Sequence, residues 1–89
     1  MSGMSDSRRR RVNAAVLEIV ENQLRDLDPR ETKTTYDRLL KSGYSDREAR
    51  NLIGCVVVCE LNDMLKQMKP YNNKRFVKAL RRLPTLPWE

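Results

Sequence analysis

The chain has no histidine, only three glycines and two cysteines, and aromatic side chains at just 6% of its 89 residues. Each shortage removes a class of function. Without an imidazole there is no ordinary general base for a serine or cysteine nucleophile, and no helical histidine pair to hold a metal. Two thiols alone cannot close a tetrahedral zinc site within one chain. Three scattered glycines cannot build a phosphate-cradling loop. So few aromatics leave no stacking platform for single-stranded nucleic acid. Long hydrophobic runs are absent too: the longest uncharged stretch, Asn51 to Cys59, falls far below the roughly 18 apolar residues of a membrane span. The opening "MSGMSDSRRRR" lacks the apolar region of a secretion signal. These absences predict a cytoplasmic protein that is not an enzyme, needs no cofactor and does not enter a membrane, with both cysteines kept as thiols.

What is present predicts structure. Hydrophobic residues make up 39% and charged residues 34%, too apolar for wholesale disorder and too polar for a membrane protein. A chain this short is one domain and buries roughly 60% of its unfolded surface, close to the limit for a lone core. The expected fold class is all-α, a small four-helix bundle with a central apolar third helix and an extended C-terminal tail. Residues 1–7 are expected to be a disordered tail and residues 8–89 a single helical domain. Val12, Ala15, Val16, Ile19, Val20, Leu24 and Leu27 recur at helical spacing, which predicts a first helix over 8–27. Asp28 then reads as the N-cap of a second helix over 29–42, with Pro29 at its first position and Tyr36, Leu39 and Leu40 facing the core. "KSGYSDREA" is the most specific local signal. Gly43 closes one helix in the left-handed conformation, Tyr44 folds back over it, and Ser45 with Glu48 forms a capping box for the next. The third helix is expected over 46–69, ending before Pro70. Asn72 or Asn73 caps a fourth helix that runs to about Leu83, and "PTLPWE" is extended because proline cannot continue a helix.

The third helix is apolar nearly all round, so it is buried on more than one side or packs against a second copy. Ala49, Ile53, Val56, Val57, Leu61, Met64 and Leu65 share its broad face. Cys55 and Cys59 read as small core hydrophobes, and four thiolates from two chains are the sharper alternative. Four residues apart on a helix, their Cβ atoms are about 5–6 Å from each other, against the roughly 3.5–4.5 Å a disulfide needs. Glu60 lies within the apolar face and must be neutralised or paired. Its candidate partners are an arginine of a neighbouring helix, a tyrosine hydroxyl, or Gln23 from the apolar face of helix one. Glu60 with Gln23 is the expected buried polar pair.

The net charge of +6 is uneven. Arg8, Arg9, Arg10 and Arg11 form one block. In the fourth helix Lys74, Arg75, Lys78, Arg81 and Arg82 share one face, with Phe76, Val77, Leu80 and Leu83 on the other. That stripe and the arginine arm read either as a nucleic-acid footprint or as a solvated face that keeps a small protein soluble. "LPTLPW" reads as a strap that lays Trp88 over the protein's own helices, or as a short ligand for a partner's groove.

From "PRETKTTYDRLL" through "GYSDREA" to "LPTLPWE", about two thirds of the chain resembles a group of short bacterial proteins of unknown function. They share a "GYS" turn, an "EA" helix and a closing "LP" segment. The resemblance implies a bacterial cytoplasmic protein and no particular activity. "RLLKSGYSDREARNLI" is also similar to the first two helices of ubiquitin-associated domains, a likeness that reflects the recurrent chemistry of a helical hairpin. The expectation is a homodimeric protein–protein interaction module with an unidentified protein partner, with nucleic-acid binding through 74–82 and the arginine arm as the alternative.

Overall fold

Three of the four helices begin at a polar side chain that satisfies one of the first free backbone N–H groups. In the computed structural model, which describes residues 12–88, four helices and no strand are found among the described residues. The fold is all-α. Residues 1–7 and the Arg8–Arg11 arm lie outside the described residues.

Helix α1 spans Ala14–Asp26 and begins at Asn13, whose side chain accepts a hydrogen bond from the Val16 N–H. It therefore starts later than the expected position 8, because Asn13 supplies the cap that the apolar pattern alone could not locate. Leu27 closes it in the left-handed conformation, φ 54°, with its N–H donating to Gln23 O. The Asp28 N–H donates to the same carbonyl. Asp28 is thus part of the closing turn of α1 and does not cap α2; Pro29 holds the cap position, and α2 spans Arg30–Lys41.

The α2–α3 hairpin follows its sequence signal. Gly43 has φ 104°, Tyr44 N–H donates to Leu39 O and Gly43 N–H to Leu40 O, the paired bonds that close a helix at a left-handed residue. Ser45 and Glu48 form the reciprocal capping box of α3, Asp46–Gln67. Helix α4 spans Asn73–Arg82, capped by the Asn72 side chain on the Arg75 N–H.

Helix α3 packs against α1, α2 and α4, and α2 also touches α1 and α4. The shared core holds Val16 and Val20 of α1, Leu39 of α2, Leu52, Ile53 and Val56 of α3, and Phe76 and Leu80 of α4. The buried face of α2 is Thr32, Thr35 and Leu39, while Leu40 is exposed and Tyr36 half-buried. Threonine serves there because its methyl fills space while its hydroxyl finds a local partner: Thr32 Oγ1 donates to Gln23 Oε1 at 2.9 Å. Ala15 and Ile19 of α1, expected on its inner face, are exposed. The tail is not extended. Residues 83–88 form turns, with Thr85 N–H donating to Arg82 O, and they bury Leu83 and Leu86.

Candidate functional site

Burial of α3 stops abruptly. From Ala49 to Val57 nearly every side chain is buried, yet Leu61 is 40%, Leu65 76% and Met68 89% exposed. With half-buried Val58, these residues follow each other at spacings of three, four and three, so they form one stripe along the last turns of the helix. The expected apolar face thus divides: its first half builds the core and its second half lies open to water.

Glu60 stands at that boundary, 7% exposed. Its carboxylate accepts from Arg75 Nε at 3.2 Å, Arg75 Nη2 at 3.1 Å and the Asn72 N–H at 3.2 Å. The fork of the guanidinium meets both carboxylate oxygens, the geometry in which arginine binds a carboxylate most strongly. One carboxylate thereby fixes both the start of α4 and its first turn. Its hydrogen bonds to the Glu60 carboxylate also hold the Arg75 guanidinium above its already high ordinary pKa. Beside it Tyr71 packs on Phe76 with ring centroids 5.9 Å apart. Burial, and then the negative charge of Glu60, push the Tyr71 hydroxyl above the ordinary tyrosine range. Of the three candidate partners of Glu60, the one found is an arginine of a neighbouring helix, Arg75, and the expected Glu60–Gln23 pair is not formed. Gln23 accepts from Thr32 between α1 and α2, whereas Glu60 serves the α3–α4 junction.

The far end of α4 is tied down by Arg38, a residue that no sequence motif singles out. Arg38 of α2 donates from Nη1 to Leu83 O at 2.8 Å and from Nη2 to Leu80 O at 3.0 Å. A cation on the last carbonyls satisfies acceptors that the helix leaves free and complements its dipole. Only its place in a polar helix was visible beforehand.

Between these two anchors lies a groove of about 400 Å³. Val56, Cys59, Glu60 and Asp63 line it from α3, and Arg75, Lys78, Ala79 and Arg82 from α4. Leu86, Pro87 and Trp88 of the tail close one end. The strap expected of "LPTLPW" is therefore formed, and Trp88 remains half open to solvent at the edge of the groove. Among the basic residues expected on α4, Arg75 is committed to Glu60. Lys74, Lys78, Arg81 and Arg82 are exposed, with no hydrogen bond or ion pair to another described residue. Arg8, Arg9, Arg10 and Arg11, the other half of the expected nucleic-acid footprint, lie outside the described residues.

Cys55 is buried and Cys59 half-buried, and neither is in a disulfide. No group of three histidine, cysteine, aspartate or glutamate side chains that could hold a metal ion occurs among the described residues. No helix among them is long and apolar enough to cross a membrane. Comparisons with models of known protein families, with curated proteins and with solved structures return no match for this chain.

Proposed function

We propose that the chain is a small non-catalytic interaction module of the bacterial cytoplasm, a four-helix bundle built around α3 that acts as a homodimer. The observation that carries this reading is the stripe of half-buried Val58 with exposed Leu61 and Leu65, continued by exposed Met68 at the residue that closes α3. Its three–four spacing suits knobs-into-holes packing against a like helix, and no charged residue lies on it, so two identical copies meet there without like-charge conflict. Leu65 and Met68 from two copies contribute roughly 6–12 kcal/mol on burial, at about 1.5–3 kcal/mol per side chain. Association costs at least about 4 kcal/mol. The balance favours a dimer of modest affinity, and it offsets the small core of so short a chain. The non-catalytic part of the reading is supported by Glu60, whose oxygens already accept three hydrogen bonds that hold α4 in place.

Sedimentation equilibrium over a wide concentration range tests the dimer. The wild-type protein is expected to shift from monomer to dimer with concentration, and Leu65→Glu, which changes an exposed position, to remain monomeric with unchanged helical circular dichroism. A wild-type protein that stays monomeric at millimolar concentration refutes the reading.

Nucleic-acid binding is the second reading, favoured by the unpaired cations Lys74, Lys78, Arg81 and Arg82. Its signature is an affinity for duplex DNA that falls with salt at a slope of about −0.9 per neutralised phosphate.

A further inference from the structure

The groove between α3, α4 and the tail lies on a different face from the α3 stripe, and its chemistry is mixed in an ordered way. The Glu60–Arg75 pair and Asp63 mark one end. Toward the other, Lys78 and Arg82 stand on successive turns of α4 with no charge partner among the described residues. The floor between them is Val56 and Ala79, and Trp88 stands at the edge. From residue 64 to residue 88 the sequence contains no acid.

We infer that this groove docks an acidic segment of another protein, which places one or two bulky apolar side chains on the Val56–Ala79 floor and its carboxylates against Lys78 and Arg82. The proposal rests on the reading of the chain as an interaction module. Three physical points select this occupant. A volume of about 400 Å³ falls in the roughly 300–1,000 Å³ range of sites that enclose an apolar body fixed by a few polar groups. Arg75 to Arg82 covers about 10 Å of helix, a length that a segment spans and a single carboxylate does not. Finally, the apolar floor disfavours a phosphate backbone, which gains nothing from apolar surface, and favours a segment that carries apolar side chains beside its carboxylates. Lys78 and Arg82 sit at the rim, where they steer and select an acidic partner, while the apolar anchors supply most of the affinity.

Trp88 is the only tryptophan in the chain, so its emission reports occupancy of the groove. The probe is a synthetic helical peptide without tryptophan, with leucine and phenylalanine at helical spacing flanked by glutamates. A counterpart with lysine in place of glutamate and a thymidine oligonucleotide serve as comparisons. The acidic peptide is expected to shift Trp88 emission saturably, and the lysine peptide to leave it unchanged. The pair of substitutions Lys78→Glu and Arg82→Glu is expected to weaken binding by about tenfold or more, as two reversed rim charges should. Ala79→Leu, which fills the floor without changing charge, is expected to abolish it. Arg81→Glu alters the same helix outside the groove and should change peptide affinity by less than about twofold, whereas phosphate binding would lose as much from Arg81 as from Arg82. No response to the acidic peptide overturns the proposal, as does a response to the oligonucleotide that depends equally on Arg81 and Arg82. If the peptide fails while sedimentation shows the dimer, the groove proposal falls alone; if both fail, the interaction reading falls with it.

Discussion

Glu60 shows how one residue can be conspicuous in sequence for the right reason and still be assigned the wrong partner. A carboxylate in an apolar stripe demands compensation, and three donors provide it, all from the α3–α4 junction and its first helical turn. Gln23 was an equally reasonable donor from pattern alone. Nothing in a one-dimensional periodicity says which neighbouring helix approaches which turn, and Gln23 is held by Thr32. The energetic consequence is local to α4. Glu60→Ala leaves the part-buried Asn72 N–H without its acceptor, while water can replace the carboxylate at the partly exposed guanidinium, and is expected to cost about 1–2 kcal/mol. Glu60→Gln, which keeps an acceptor oxygen in place, should cost less. Urea unfolding with matched slopes measures both. A loss below about 0.5 kcal/mol, typical of an indifferent surface change, would show that α4 docks through Phe76 and Leu80 alone.

At the scale of helices, local chemistry was legible where a specific atom had to be satisfied. Ser45 with Glu48, Gly43 and Asn72 each act as their residue types require. Termini set by less favoured residues were not. Leu27 and Met68 close α1 and α3 at positive φ without being glycine, so neither stop carries the usual signal, and in sequence Asp28 reads as a cap. Buried Thr32 and Thr35 were missed because polarity was read from residue type, whereas a threonine methyl packs well beside a satisfied hydroxyl. The candidate groove was half legible: Lys78 and Arg82 stood out as charge, but the cavity needs the folded tail and the diversion of Arg75, both tertiary facts. The close approach of Val12, just before α1, to α3 is equally hidden. A Cβ on Gly54 would lie 2.9 Å from Val12 Cγ2 and 3.1 Å from Cγ1, and a branched side chain cannot rotate away from both. Gly54→Ala gains about 1 kcal/mol of helix propensity, while overpacking of this kind costs about 1–3 kcal/mol. A net loss is therefore expected. Adding Val12→Ala removes both clashing methyls, leaving only Cβ at 3.3 Å, so the double variant should be more stable than the sum of the single losses. Strict additivity in thermal unfolding would contradict this account of how the residue preceding the α1 cap lies on α3.

Across the whole molecule, two polar clamps hold the helices around their shared core. Arg38 and the Glu60–Arg75 pair tie α4 to α2 and α3. The other clamp joins α1, α2 and α3: Arg50 donates to Asp46 at 2.8 Å and to Glu21 at 3.0 Å, its guanidinium lies 5.6 Å from the Tyr36 ring centroid, and the Tyr36 hydroxyl donates to Asp46. The hydrogen bonds from Arg50 and then Tyr36 hold the Asp46 carboxyl below its ordinary pKa, while the bond to Asp46 holds the Tyr36 hydroxyl above its own. Asp46, depressed in the fold, contributes stability that is complete above the unfolded value of about 3.9 and is lost as the pH falls through the folded value. Tyr36, raised in the fold, contributes stability that is complete below about pH 10 and is lost as the pH rises toward and through its folded value. Asp46→Asn therefore lowers the thermal midpoint by a constant amount near neutral pH, and the gap from wild type closes at both the acid and the alkaline end. Tyr36→Phe closes its gap at the alkaline end by loss of the hydroxyl's titration, and keeps an acid limb because Arg50 still holds Asp46. These groups are largely exposed, so the effect is modest and should shrink with added salt. Parallel pH profiles for wild type and Asp46→Asn would mean that the three helices are held by their apolar contacts, with this surface cluster contributing nothing to the fold.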